Sequence, residues 1–356
     1  MNVVAATDSY ERWLGTELSV VLQDDLALKH ERMAASAFPF LRATYYLWLA
    51  RLARHTEPGL TDAPAVAASG DLHVENFGCW RDTDGRLAWG ANDFDEIAAL
   101  PYTYDLLRLS ASALLAVRER RLPLAEHEVT ALVLEGYRAG LASGGKPFVS
   151  GEGHRWLALP HAVARDFWPQ LERLPAPDGP ALPDGAEAAL HSLAPAGAWH
   201  PTLHRRTAGL GSLGHRRVVA VGKAADGPAA RELKELSPPA GVWLGLPHVE
   251  APRPTSGPSW TVDPLLIVRG RWQCRRLAPD CVKLDLADYG HGQERHVLKA
   301  MGFEAANVHQ RSQPGQVAAV RTHAESLPDG AFRGLVEDLT AEVERDQHDW
   351  HAHFRR

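Results

Sequence analysis

The sequence predicts an α+β protein of two lobes, and three observations carry that reading. Apolar residues recur at helical spacing through much of the first 200 positions, with one acidic β-hairpin set among them. Residues 205–276 instead read as short strands separated by glycine-bearing turns, the pattern of an antiparallel sheet. A helical stripe then returns through Phe332, Leu335, Val336, Leu339 and Val343. At 356 residues the chain exceeds one small domain, which favours two domains or two lobes sharing a cleft.

Taken in order, residues 8–33 read as polar helix. Leu41, Tyr45, Trp48 and Leu52 then share one face of an expected buried helix, with Pro39 near its first turn, where a missing N–H costs little. Residues 55–64 form a loop, and Ala65–Ala68 is a short apolar run. Phe77–Trp80 and Leu87–Asn92 read as a hairpin that turns at Asp82-Thr83-Asp84-Gly85, where glycine supplies φ > 0. Past Pro101 a helix begins at Tyr104, with Leu107, Leu114 and Val117 along one side, and another covers roughly 125–141. The Pro-, Gly- and Ala-rich stretch 175–201 reads as a flexible crossing. Strands are expected at Arg205–Gly209, Arg217–Val221 and Arg231–Leu236. After a Pro-rich interval over 237–264 come two more, at Pro264–Arg269 and Arg271–Arg276.

Bulk composition narrows the class of function. With 45% hydrophobic residues and 11 Trp there is ample material for a core, so disorder over most of the length is excluded. A net charge of −6 argues against a general nucleic-acid or anionic-membrane binder. Three cysteines without C-x-x-C spacing provide no disulfide framework. The N-terminal stretch has no basic, apolar leader pattern, and no window reaches the ~18 apolar residues of a membrane span. A soluble, cytoplasmic protein is the expectation.

Two acidic clusters carry the chemistry. Gly70-Asp71-Leu72-His73-Val74-Glu75-Asn76-Phe77 precedes the hairpin, and Asn92-Asp93-Phe94-Asp95-Glu96 follows it. A hairpin folds its ends together, so Asp71, Asn76 and Asp93 should meet. That oxygen set suits Mg²⁺ and a hydroxyl to be deprotonated. An Asp with an Asn five residues later lets the Asp face a hydroxyl while the Asn holds a metal. His73 between them steadies the loop or a phosphate. Asp93 and Asp95, two apart on an extended segment, point the same way, and either suits Mg²⁺. The same residue types also build ordinary turns and solvated acidic loops.

Gly209-Leu210-Gly211-Ser212-Leu213-Gly214 fits G-x-G-x-x-G. A helix should follow it in a dinucleotide site, yet Arg217-Val218-Val219-Ala220-Val221 reads as a strand. A strand–Gly loop–strand unit is the form of a flap over ATP phosphates, so Gly209, Gly211, Ser212 and Gly214 become nucleotide-binding candidates. One strand later Lys234 is placed to reach those phosphates, and Lys223 on the preceding strand competes for the role. His348, His351 and His353 form a terminal cluster that reads as solvated more readily than as a metal site.

These motifs resemble a known group. GDLHVENF resembles the catalytic loop of aminoglycoside phosphotransferases and choline-kinase-like enzymes, a branch of the protein-kinase-like fold. NDFDE followed by Tyr104-Asp105-Leu106 resembles their metal-binding segment. More closely, roughly residues 30–300 are similar to an uncharacterised bacterial family, domain of unknown function 2252. The marks are Met33, Ser36, Phe38, Phe40 and Arg42, then the two acidic motifs, the G-x-G-S-x-G and Leu233-Lys234-Glu235.

The resemblance implies ATP and Mg²⁺ as cofactors and a small-molecule or protein hydroxyl as acceptor, with Asp71 as base and Asn76, Asp93 and Asp95 at the metal. In a kinase the Gly-rich loop and lysine come first, whereas here the catalytic loop precedes them by about 140 positions. The implied fold is therefore a circularly permuted kinase-like one. Residues 1–200 would build the helical lobe, 201–285 the sheet lobe, and 286–356 helices returning to the first. Ser69 stands where kinases carry the His of H-x-D, and no helix supplies a Glu partner for Lys234. Those departures keep open a nucleotide-binding pseudoenzyme, alongside a nucleotidyl (AMP) transferase and a metal-dependent phosphoesterase.

Overall fold

The computed structural model describes residues 2–150, 166–177, 182, 185–225, 227–246, 253, 255–257, 260–281, 283, 285–289 and 292–355. Four helices open the chain: α1 (Val3–Glu17), α2 (Gln23–Ala35), α3 (Ala37–Ala43) and α4 (Tyr45–Leu52). Asn2 caps the first, its side chain accepting from the Val4 and Ala5 amides. The single helix expected across Leu41–Leu52 is two. It breaks at Thr44 (φ −127°, ψ 44°), whose hydroxyl donates to the Phe40 carbonyl at 2.7 Å. Helix α4 is buried on nearly every side, so its apolar spacing was not the mark of a one-sided face.

Strand β1 (Ala65–Ala68) leads into the acidic loop. Strands β2 (Phe77–Arg81) and β3 (Leu87–Ala91) form the expected antiparallel hairpin, with Gly85 at φ +75° in its turn. The Asp82 side chain accepts from the Asp84 and Arg86 amides and so stiffens that turn. Strand β4 (Ala98–Pro101), unforeseen in the sequence, pairs back onto β1. The hairpin is therefore bracketed by a two-stranded ladder that holds both acidic loops at one end.

Helices α5 (Tyr102–Arg118) and α6 (Glu126–Ser143) follow, then β5 (Phe148–Val149), which adds to the hairpin sheet beside β3. Short helices α7 (Phe167–Glu172) and α8 (Ala186–Ser192) come next. Residues 175–201, read as a flexible crossing, carry α8. Ala186, Ala189 and Leu190 pack on the back of the sheet, while 178–181, 183 and 184 lie outside the described residues.

Strands β6 (Thr202–Arg205), β7 (Arg217–Ala224) and β8 (Gly227–Glu235) then run antiparallel, followed by the short helix α9 (Ala240–Trp243), β9 (Leu266–Arg269) and β10 (Trp272–Leu277). They form a five-stranded sheet in the order β6-β7-β8-β10-β9. The Pro-rich interval 237–264 lies partly outside the described residues. Helices α10 (Glu294–Ser312), α11 (Val317–Ser326) and α12 (Asp329–Phe354) complete the α+β architecture.

The main core runs from Val3 to Trp350, so the C-terminal helices share it with the N-terminal ones. All five members of the terminal stripe, Phe332 to Val343, are buried in it. Helices α6 and α10 cross at close range. A Cβ at Gly136 would collide with the Lys299 carbonyl, and one at Gly302 with the Val133 carbonyl. The five-stranded sheet has two apolar clusters of its own, one on each face. Polar contacts stitch it to the helices around the cleft. Glu235 accepts from Ser19 N at 2.8 Å and Ser19 Oγ at 2.7 Å, Arg205 and Thr207 both reach Asp25, and Leu22 N donates to Gly214 O. Among the described residues no helix is long and apolar enough to cross a membrane.

Candidate functional site

The acidic loop after β1 is held from below by Asp105, on the first turn of α5. Its carboxylate accepts from Ser69 N at 2.7 Å and Gly70 N at 2.9 Å, and His309 Nε2 on α10 lies 3.0 Å from the same group. His309 Nδ1 in turn lies 2.9 Å from the Tyr137 hydroxyl. Gly70 has φ +86°, and a Cβ there would run into the Glu96 backbone, so the two acidic loops touch.

Asp71 then projects into the cleft. Its Oδ1 accepts from Arg108 Nε (2.9 Å) and Nη2 (2.7 Å), and Nη2 also donates to Leu41 O at 2.6 Å. The Arg108 side chain is fully buried, its guanidinium 5.5 and 5.1 Å from the Tyr45 and Trp48 ring centres. Burial raises the Asp71 carboxyl above its ordinary value, and Arg108 opposes that rise.

His73 is buried with Nδ1 accepting from the Glu75 amide. Burial first, then Arg42, Lys283 and Arg108, holds it well below the usual imidazole range and keeps it neutral. Through its contact with the Glu75 amide it supports the loop. Glu75 is buried between Arg42 and Arg121, which closes that side.

Asn76 donates from Nδ2 to the Asp71 carbonyl at 2.9 Å, locking the loop, and accepts at Oδ1 from Lys283 Nζ at 3.2 Å. The same ammonium donates to Asp93 Oδ2 at 2.9 Å. Lys234, on the third strand of the five-stranded sheet, pairs with Asp95 and lies 3.9 Å from Asp93 Oδ1. Burial pushes the Asp93 carboxyl up, but Lys234 and Lys283 outweigh it and hold the group well below the carboxylate range. Lys234 is brought down to about 8 by burial, with Asp93 resisting.

The Gly209–Gly214 segment joins β6 to β7 and makes a tight helical turn at Leu210–Ser212. The strand expected at Arg205–Gly209 is instead Thr202–Arg205, ending before the glycines, and Gly209 itself takes φ +77°. Gly211 sits at the tip. A Cβ there would lie 3.7 Å from Asp71 Oδ2 and 3.2 Å from Arg42 O. Ser212 Oγ is held by Arg217 Nη2 at 3.0 Å.

The structure thus brings Asp71, His73, Asn76, Asp93, Asp95, Gly209, Gly211, Ser212 and Lys234 to one place, around a cavity of about 190 Å³. Gly214 lies just behind, its Cα facing Leu26. Lys223 is exposed toward the far end of β7, opposite Pro228, and lines neither cavity. His351 donates from Nδ1 to the Ala34 carbonyl at 2.8 Å. Among the described residues no group of three His, Cys, Asp or Glu is placed to hold a metal ion.

A larger cavity of about 540 Å³ adjoins the first and shares Asp93, Gly209, Lys234 and Lys283 with it. Trp80, Phe94, Trp260 and Leu171 give it apolar walls, and its volume falls in the ~300–1,000 Å³ range of small-molecule sites.

Sequence reasoning missed Arg108 and Lys283, and named Asp105, Arg42 and Glu96 only as members of motifs, without the contacts they make here. Arg108 had a signal: a charge within Leu106-Leu107-Arg108-Leu109, on an otherwise apolar helix, needs a partner. Lys283 had none, since no spacing ties it to Asn76.

Residues 22–147 match a family described as "Uncharacterized protein conserved in bacteria (DUF2252)". The match takes in Asp71, Asn76 and Asp93 and ends before the Gly-rich turn and Lys234, so the sheet side of the cleft stands on its geometry. Neither a curated protein nor a solved structure matches the chain.

Proposed function

We propose that the cleft is an ATP- and Mg²⁺-dependent phosphotransfer site, in a permuted kinase-like arrangement, acting on a hydroxyl of a small molecule or protein. One observation carries the reading. A Gly-rich turn and a third-strand lysine, from the later part of the chain, lie against Asp71, Asn76 and Asp93 from the earlier part. Phosphoryl transfer needs those parts in one cleft, whatever their order in the sequence.

The donor set fits a hard cation. Asn76 Oδ1 and Asp93 Oδ2 converge on one point, where a single ammonium reaches both, and Asp95 Oδ1 is buried without a hydrogen-bond partner. Bound there, Mg²⁺ would neutralise charge on the phosphates. The chain's own groups divide the remaining work. Asp71 Oδ2 orients the acceptor hydroxyl and takes its proton, with Arg108 fixing the carboxylate through Oδ1. The Gly209–Gly214 turn covers the phosphates and Lys234 pairs with them. The adjoining aromatic cavity accommodates the nucleoside.

Incubation with ATP labelled at the α or the γ position, with Mg²⁺ and a panel of hydroxyl acceptors, tests this. Label transferred from γ supports phosphotransfer, and label from α makes the enzyme a nucleotidyl transferase. Calorimetric ATP binding without transfer assigns a nucleotide-responsive scaffold, a reading favoured by the pairing of Lys234 with Asp95. Release of phosphate from an aryl ester without ATP would replace all of these with phosphoesterase chemistry.

A further inference from the structure

One face of the five-stranded sheet forms a wall of the larger cavity, and register arranges its side chains in rows. Arg217, Lys234 and Gln273 make the row beside Asp93 and Asp95. Val219, Glu232 and Arg275 make the next, two residues or about 7 Å along the strands. Beyond it Val221, Ala230 and Leu277 are apolar, with Leu171 packed into the same cluster.

The middle row has an unusual charge balance. Glu232 is 1% exposed and receives three guanidiniums. Arg206 donates to Oε2, and Oε1 accepts from Arg217 Nη1 at 2.7 Å and from Arg275 Nε at 2.8 Å. These cations, against burial, hold the Glu232 carboxyl far below its ordinary range. One carboxylate therefore offsets one of three positive charges. Lys234 and Lys283 are already engaged by Asp95 and Asp93, and Arg276 lies 3.9 Å from Asp263. Asp93 and Asp263 act on Arg275 from farther off and Asp285 lines the same cavity, so the excess that remains is centred on the guanidiniums around Glu232, in a half-enclosed place where water screens it poorly. Clustered guanidinium forks in such a setting are the chemistry that recognises phosphate oxygens.

We propose that Arg206, Arg217 and Arg275 form an anion site for a phosphate group, centred on Glu232 one row along from Lys234, with Arg217 reaching it from the Lys234 row and Glu232 holding the three side chains in place. The site goes beyond the phosphotransfer reading, which gives the phosphates to Lys234 and the Gly-rich turn and assigns these three arginines, which line the larger cavity, no role. Its phosphate belongs either to the ligand that fills the cleft or to a separate phosphorylated molecule.

Calorimetry of the full chain with pyrophosphate at constant ionic strength tests the proposal. Arg206 is the most exposed of the three at 30%, so Arg206→Gln is the least disruptive change. It should weaken pyrophosphate binding about tenfold, the loss expected for one charge-assisted hydrogen-bonding partner. Glu232→Gln frees the guanidiniums and should bind pyrophosphate tighter than the parent chain, or gain more thermal stability from it. No binding by the parent chain, or equal affinity in parent and Arg206→Gln, overturns the site. If Glu232→Gln does not fold, the Arg206→Gln comparison decides alone. Loss of ATP affinity in saturating pyrophosphate assigns the phosphate to the nucleotide, and unchanged ATP affinity assigns it to a second ligand. Arg206-dependent pyrophosphate binding without any transfer from ATP would leave this site standing and remove the phosphotransfer reading.

Discussion

Arg108 spends two of its nitrogens on a single oxygen of Asp71, donating from Nε and Nη2 to Oδ1 at 2.9 and 2.7 Å. Oδ2 has no hydrogen bond among the described residues and lies toward the tip of the Gly-rich turn. The pair therefore does two separable things: it neutralises a half-buried carboxylate and it aims the free oxygen.

Asp71→Asn keeps the shape and removes the proton acceptor. Under the proposed function it should cost ~10²–10⁴ in rate, the usual worth of a positioned base, while ATP affinity stays near that of the parent. Arg108→Met should act on stability instead. It strands Asp71 and the Leu41 carbonyl in a buried place, a loss of roughly 3–5 kcal/mol for a broken buried pair. Urea denaturation separates the two effects, and equal stability of Arg108→Met and parent would show that the pair is dispensable.

Asp105 is the anchor of the first acidic loop, and its two oxygens serve different amides. An asparagine offers one acceptor where the carboxylate offers two, so Asp105→Asn must abandon Ser69 N, Gly70 N or His309. One unsatisfied buried donor costs about 1–3 kcal/mol. Hydrogen exchange at the Ser69 and Gly70 amides should quicken in the variant well beyond any change in α12. Exchange that quickens uniformly would mean that Asp105 supports the whole core and not this loop.

Gly70 joins the two acidic loops, and its replacement tests how closely they must meet. Gly70→Ala meets two penalties at once: φ +86°, and a Cβ directed into the Glu96 backbone. The conformational strain alone is of order 1–3 kcal/mol. Gly85→Ala, at φ +75° in the open hairpin turn with nothing near its Cβ, carries the strain without the collision. The first variant should melt well below the second, and identical melting temperatures would separate the loops energetically.

Legibility followed the range of the interaction. The α+β character, the acidic hairpin and the antiparallel sheet could be read because helical period, alternation and turn residues are local. Strand β4 could not, since Ala98-Ala99-Leu100-Pro101 is too short to alternate and exists by pairing with β1. Helix α8 was hidden in a Pro- and Gly-rich stretch, where composition spoke for a loop and packing of three small or apolar residues on the sheet prevailed. Within the cleft, Asp71, Asn76 and Asp93 were legible together because a hairpin of known length closes on itself. The cations that partner them come from 37 residues away for Arg108 and from 190 for Lys283, and no local pattern encodes such distances. Lys223 and Lys234 looked alike in sequence. Only register shows that one faces Asp93 while the other ends up exposed toward the strand's far end.

Glu96 gives the cleft a pH signature. Burial pushes its carboxyl from 4.5 up to about 8, although the Ala240 amide donates to Oε2 at 2.6 Å and opposes the shift. The folded chain thus keeps a proton that the unfolded chain releases above 4.5. The stabilisation linked to that proton is complete below pH 4.5 and is lost as pH rises through about 8. Glu96→Gln removes the ionisation while leaving an oxygen to accept from Ala240. Its stability relative to the parent should therefore grow between pH 5 and 8.5, as the parent ionises and the variant does not. Chemical denaturation at a series of pH values measures the difference directly. A variant whose offset from the parent stays constant across that window would place the Glu96 carboxylate in contact with water, outside the buried wall between the two acidic loops.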